Sequence, residues 1–195
     1  MTRTVLNSTA YFNRLVELLI NTKVTDLHGN GLSLDEGMDR AVELINGARP
    51  TSAKVMVIGN GGSAAIASHL QNDLSKAVGV RSLVFNEPSL LTALSNDHGY
   101  SCIFERPIQM WAEKGDVLVA ISSSGRSENI ICGAQAAEEK GCHIITLSGF
   151  KPNNPLRKLG NLNFYIASES YGQVEVAHST LTHLLSDMAM ARSSG

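Results

Sequence analysis

The 195-residue chain predicts a three-layer α/β/α fold, a doubly wound five-stranded parallel sheet, on three observations. Short apolar runs recur along it without alternation, the pattern of strands buried on both faces. Amphipathic helical stretches separate the runs, as parallel crossovers require. Glycine- and serine-rich turns follow the first and third runs and lead straight into helices, where open α/β sheets bind their ligands. Composition agrees: 43% hydrophobic residues can fill a core, and 17% charged residues do not suggest wholesale disorder.

The first fifty residues read as helix, turn, helix. Tyr11, Phe12, Leu15, Leu18 and Leu19 recur at helical spacing, and Gly29-Asn30-Gly31 breaks the pattern. Ser33 and Glu36 then form a capping box for a second helix with Leu34, Met38, Ala41, Val42 and Ile45 on its apolar face and Pro50 beyond its end. From Lys54 the apolar runs are 55–58, 82–85, 117–121, 143–147 and 162–166, and the clearest helices between and after them span 127–140 and 173–192. There is no repeat and no linker. One domain over 1–195 is expected, a helical pair at 1–50 and an α/β core at 51–192, with only 192–195 loose.

Sixteen basic against eighteen acidic residues give a net charge of −2, with no basic stripe to neutralise phosphates. Aromatic residues, at 5%, are too few for a base-stacking platform. No nucleic-acid partner is expected. Cys102, Cys132 and Cys142 lack metal-ligand spacing and fit a reduced, cytoplasmic setting. No apolar run approaches the roughly 20 residues of a membrane span, and Met1-Thr2-Arg3-Thr4 lacks the apolar block of a signal peptide.

The turn after the first run is Gly59-Asn60-Gly61-Gly62-Ser63. Glycines let the backbone approach an anion, and the following helix start supplies free N–H donors. A tight turn alone would also explain it, as would a dinucleotide site, since Gly59, Gly61 and Ala64 fit a loose Gly-x-Gly-x-x-Gly/Ala pattern and Glu87 follows the second run. The turn after the third run, Ser122-Ser123-Ser124-Gly125-Arg126-Ser127, is more telling. One serine explains a helix cap; four, with backbone N–H groups, make a nest for phosphate oxygens. A dinucleotide gives no reason for this second cradle. A small phosphorylated ligand lying across two strand ends does.

These two turns, with Asn96-Asp97-His98-Gly99-Tyr100 and Gly115-Asp116-Val117, resemble the sugar isomerase (SIS) domain, and within it the phosphoheptose isomerases. The resemblance implies a flavodoxin-like sheet and conversion of sedoheptulose 7-phosphate to a heptose 7-phosphate, a precursor of ADP- or GDP-heptose. It implies that Ser122, Ser123, Ser124 and Ser127 hold the phosphate. Asn60, Gly61, Gly62, Ser63, Asn96, Asp97 and Glu175 complete the expected substrate set. It also implies a homotetramer with sites at subunit interfaces.

Aldose–ketose isomerisation moves a proton between adjacent carbons, usually through an enediol, and needs a base at carbon with an acid–base group or a metal at the oxygens. His69 and Asp73 are four residues apart, on one helix face. Glu175, His178 and His183 lie on the last helix. Histidine and carboxylate from two helices suit zinc or a similar ion, although a helical histidine is also commonly a surface or capping residue. The resemblance implies metal ligands at His69, Asp73, Glu175 and His183, where the family pattern is His, Glu, Gln, His. Here Asp73 is a methylene short, and Glu175 adds a charge that tightens a divalent cation. Glu175 and His183 are roughly 12 Å apart along a helix, so His178 is the easier local partner of Glu175. The expected catalytic set is Asp73 or Glu175 as base and His183 as acid–base partner. Two other classes compete: a non-catalytic member of the same branch, of the replication-initiator-associating kind, and a nicotinamide enzyme built on the Gly59 turn.

Overall fold

Seven strands pair into one sheet in the computed structural model, which describes residues 7–193. They are β1 (Lys23–Asp26), β2 (Gly31–Leu32), β3 (Val55–Gly59), β4 (Ser82–Val84), β5 (Val117–Ser122), β6 (His143–Ser148) and β7 (Leu162–Tyr165), in the order β2-β1-β7-β6-β5-β3-β4. The five expected runs are the parallel strands β4, β3, β5, β6 and β7. Numbered by themselves they run 2-1-3-4-5, the flavodoxin-like order, with its reversal between β3 and β5.

The other two strands correct the helix–turn–helix reading of the first fifty residues. β1 and β2 form a hairpin, and β1 pairs antiparallel with β7. The Gly29-Asn30-Gly31 break lies in its turn, where the Asp26 carboxylate accepts from the His28 and Asn30 backbone N–H groups and the Asn30 amide. Only Val24 of β1 is buried, so the ladder, not an apolar face, defines the strand.

The helices are α1 (Ser8–Ile20), α2 (Leu34–Thr51), α3 (Gly62–Asp73), α4 (Pro88–His98), α5 (Glu105–Trp111), α6 (Glu128–Glu139) and α7 (Tyr171–Ser193). Both bonds of the Ser33–Glu36 capping box are present. Pro50, expected beyond α2, lies inside its last turn. The helix ends one residue later, at Thr51, with Ser52 capping it in the left-handed conformation at φ 62°. α7 continues past the expected end, with Arg192 paired to Asp39, so the supposed loose segment begins within a helix. The reading of residues 1–4 as lacking a leader falls outside the described residues. Among the described residues, no helix is long and apolar enough to cross a membrane.

Alternate residues of each central strand face opposite layers. Val117, Val119 and Ile121 of β5 pack with α2, α3 and α7, while Leu118 and Ala120 pack with α5 and α6. Both faces are buried, which is why these runs show no alternation. At the amino ends of the strands, the buried Asp116 carboxylate accepts from the Lys54 and Glu113 backbone N–H groups at 2.9 and 2.7 Å and pairs with Lys54 Nζ at 2.6 Å. That end is locked; the opposite end, at the sheet's reversal, is open.

Candidate active site

At the carboxyl end of β3 the chain turns into α3 through Gly61, at φ 53°. A Cβ on Gly59 would stand 2.5 Å from the Ser63 carbonyl oxygen, so the turn closes only on glycine. At the end of β5 the serine turn enters α6, with Ser127 at the N-cap. Neither helix start carries a side-chain cap bond. In α3 the Ser63 and Ala64 N–H groups donate to the Asn60 carbonyl, and in α6 the Ile130 N–H donates to the Ser127 carbonyl. What the two helix starts offer an anion from both sides of the sheet's reversal is therefore their positive dipole ends and their outermost N–H groups. Between them lies a cavity of about 240 Å³, lined by Asn60, Gly61, Gly62, Ser63, Ser122, Ser123, Ser124, Ser127, Tyr171 and Glu175. A larger cavity, about 650 Å³, lies by Asp116 and His143 at the amino ends of the strands. It is the wrong end of the sheet for a ligand of this fold.

The serine turn holds itself open. Ser122 Oγ accepts from the Gly125 N–H at 3.1 Å and lies 3.3 Å from Ser127 Oγ, and Ser124 Oγ accepts from the Arg126 N–H at 3.2 Å. Gly125 is left-handed, φ 61°, and a Cβ there would run into the Asn154 amide. Asn154 is fully buried and donates to Ser148 Oγ and to the Gly149 and Lys151 carbonyls, bracing the turn from behind. The buried Ser123 hydroxyl has no partner. An unpaired buried hydroxyl costs about 1–3 kcal/mol, a cost that a ligand oxygen in this cavity would remove.

About two turns further along, α3 and α7 bring two histidines onto one carboxylate. His69 Nε2 is 3.3 Å and His183 Nδ1 3.7 Å from Asp73 Oδ2, and the two rings lie 4.7 Å apart at 60°. One ligand atom from each of the three residues falls within 4.8 Å of the others. Among the described residues, this is the group of three or more histidine, cysteine or acidic side chains spaced for a metal ion. Two imidazole nitrogens and a carboxylate oxygen are the donors zinc takes.

Glu175, expected in the same shell, stands apart from it. Its carboxylate lies over Gly62, where a Cβ would meet Oε2 at 2.5 Å and Oε1 at 2.7 Å, and among the described residues it has no hydrogen-bond or ion-pair partner. The separation of eight residues between Glu175 and His183 keeps the two apart. His178, expected as the local partner of Glu175, is instead fully buried, with Nε2 3.3 Å from the Ser148 carbonyl oxygen. Burial pushes its pKa down to about 4, against a smaller opposing effect of that carbonyl. It is a neutral core histidine.

Asn96 and Asp97 are not brought to the cavity within one chain. They sit at the exposed end of α4, where Asn96 Nδ2 donates to Asp97 Oδ1 at 2.8 Å. Glu87, the acid a dinucleotide site would need, caps α4 by accepting from the Leu90 N–H and the Ser89 hydroxyl. Those bonds, the backbone one first, hold its carboxyl below the usual range. Two residues that the sequence does not point to also matter here: Tyr171, which lines the cavity edge-on against Phe150, and the buried Asn129, which is hydrogen-bonded to Asn60. Asn129 lies two residues past the serine turn, but nothing local says which way its amide faces.

A family profile described as the SIS domain matches residues 23–149. The chain is 34% identical over 164 residues to a phosphoheptose isomerase of Citrifermentans bemidjiense, covering 80% of this chain and 83% of that one. It is 30% identical over 162 residues to the phosphoheptose isomerase of Helicobacter hepaticus, covering 80% and 82%. The fold is similar to the solved structure of the phosphoheptose isomerase GmhA from Neisseria gonorrhoeae, with a TM-score of 0.79 and 26% identity over 93% of this chain and 96% of that one.

Proposed function

The chain belongs to the SIS-domain family and, within it, to the phosphoheptose isomerases, and from that premise we propose that it interconverts sedoheptulose 7-phosphate and a heptose 7-phosphate. One juxtaposition supports this most. Two uncapped helix starts and four serines close on a single cavity, and the helices α3 and α7 beside it carry two histidines and two carboxylates. The two helices touch at Gly62–Glu175 and again at His69–His183. These contacts are about 10–12 Å apart along the helices.

In this mechanism Ser122, Ser123, Ser124 and Ser127 take the phosphate with the N–H groups of the two helix starts, and Asn60, Gly61, Gly62 and Ser63 line the sugar. Glu175 is assigned the proton transfer at carbon, because its carboxylate faces the cavity without a partner. Asp73 is the alternative base, but its Oδ2 is already held between two imidazoles. His183 serves the sugar oxygens as acid–base partner. Zinc would be held by His69, Asp73 and His183, where it would polarise the sugar oxygens.

The assembly is read as a homotetramer. Phe12, Val16 and Ile20 form an exposed apolar stripe on α1, and α4 has no fully buried residue. Packing of a second subunit against α4 would give Asn96 and Asp97 a place in a shared site. The helices and hairpin of 1–50 and the core at 51–192 are read as one domain, since β1 extends the sheet through β7. The three unpaired cysteines suit a cytoplasmic compartment.

NMR of the purified protein with a panel of ketose and aldose phosphates tests the reading. Interconversion of sedoheptulose 7-phosphate, faster than that of pentose or hexose phosphates, is the expected result. Binding of sugar phosphates with no interconversion of any would make it a binding protein instead.

A further inference from the structure

We propose that Asn129, at the start of α6, is a positioning residue that holds Asn60 in a donating orientation toward the substrate, a role that presupposes the isomerase activity proposed above. Asn129 is 2% exposed. Its Nδ2 donates to Asn60 Oδ1 at 2.8 Å, and its Oδ1 accepts from Asn60 Nδ2 at 2.9 Å. The Tyr100 hydroxyl adds a second donor to Asn60 Oδ1 at 3.1 Å.

Counting donors and acceptors shows what this does. An amide oxygen accepts two hydrogen bonds, and its NH₂ donates two. Asn60 Oδ1 is therefore saturated, while Nδ2 keeps one N–H free. Asn60 can meet a ligand only as a donor, so it suits a carbonyl or hydroxyl oxygen of the sugar. Asn60 lines the serine cavity and a second cavity of about 300 Å³ lined also by Ser68, Asn86 and Tyr100. The pair fixes the plane of the Asn60 amide between the two spaces, and in the observed orientation the group left free is an N–H.

The pair also ties the two ends of the ligand together. Asn129 follows Ser127 by two residues on the helix whose start grips the phosphate, whereas Asn60 belongs to the other loop. A core amide with a purely structural task could be satisfied by backbone. This one is spent on the side chain that faces the cavity.

The test is a double-mutant cycle over Asn60→Ala and Asn129→Ala, read in kcat/KM, in affinity for sedoheptulose 7-phosphate by calorimetry, and in Tm. Asn129→Ala is expected to lower kcat/KM about tenfold or more, and to add nothing once Asn60 is already alanine. Asn129→Ser and Tyr100→Phe, the latter losing only one hydroxyl at a 58%-exposed residue, serve if the alanine variant does not fold. The Tyr100→Phe loss should be smaller and should likewise vanish in the Asn60→Ala background. Losses that multiply across the cycle, or a fall in Tm with kcat/KM unchanged, would overturn the positioning role. Should the wild type bind the sugar without turning it over, the isomerase reading fails, and the same cycle in affinity still decides whether the two asparagines act as one.

Discussion

Glu175 and His178 are three residues apart on α7, yet burial gives them opposite tasks. His178 is neutral in the core, with a pKa near 4 against an ordinary 6.5. Between those values the unfolded chain binds a proton that the folded chain refuses. Stability should therefore fall as pH drops from about 6.5 toward 4, by on the order of 3 kcal/mol at full extent. Urea melts of wild type and His178→Gln at pH 7.5 and 4.5 check this: the wild type should lose more between the two pH values than the variant. Glu175 faces the cavity unpaired, and its carboxylate is expected to act at carbon. Glu175→Gln should lower kcat by about 10²–10⁴ with KM little changed. Asp73→Asn should instead weaken metal retention, seen as lower metal content after dialysis, because it removes the oxygen shared by two histidines. If Asp73→Asn kept its metal and abolished turnover while Glu175→Gln remained active, the two roles would be exchanged.

The elements show why some of the fold is legible in sequence and some is not. β3, β5 and β6 announce themselves because apolar residues fill most positions on both faces, and the capping box marks α2 because its chemistry is local. Lys23-Val24-Thr25-Asp26 buries one side chain, so β1 exists by virtue of its ladder to β7, a partner far away in sequence. α4 has no fully buried residue, only Leu91 and Leu94 partly covered by the core, too few to make a readable apolar stripe. The site divides in the same way. The serine turn is contiguous and readable, whereas the Asn60–Asn129 pair and the position of Glu175 over Gly62 exist only after helices from distant segments pack together. Asp116, noted in sequence only as part of a motif, proves to join the amino ends of β3 and β5. Asp116→Ala should cost about 3 kcal/mol, since it leaves the Lys54 and Glu113 backbone N–H groups without their acceptor and Lys54 Nζ with only the Glu113 carboxylate at 3.5 Å. Denaturant melts should show that loss while activity per folded molecule stays near wild type, because the catalytic end lies across the sheet.

At the scale of the whole molecule, the doubly wound sheet sets an anion cradle at its reversal point and a histidine–carboxylate group along the adjoining pair of helices. Neither half specifies an isomerase alone: an anion cradle would serve a binding protein, and a metal group many hydrolases. Their placement on the same pair of helices, α3 and α7, supports proton transfer on a bound sugar phosphate. On α1, Val16→Asp should shift the particle to a smaller assembly in size-exclusion chromatography with light scattering, because it places a charge within the exposed Phe12–Val16–Ile20 stripe. The most direct measurement follows sedoheptulose 7-phosphate by proton NMR in D₂O with the wild-type protein. Appearance of the heptose phosphate, with deuterium entering at the carbons that exchange the proton, is the expected result; saturable binding with neither isomerisation nor exchange would contradict it.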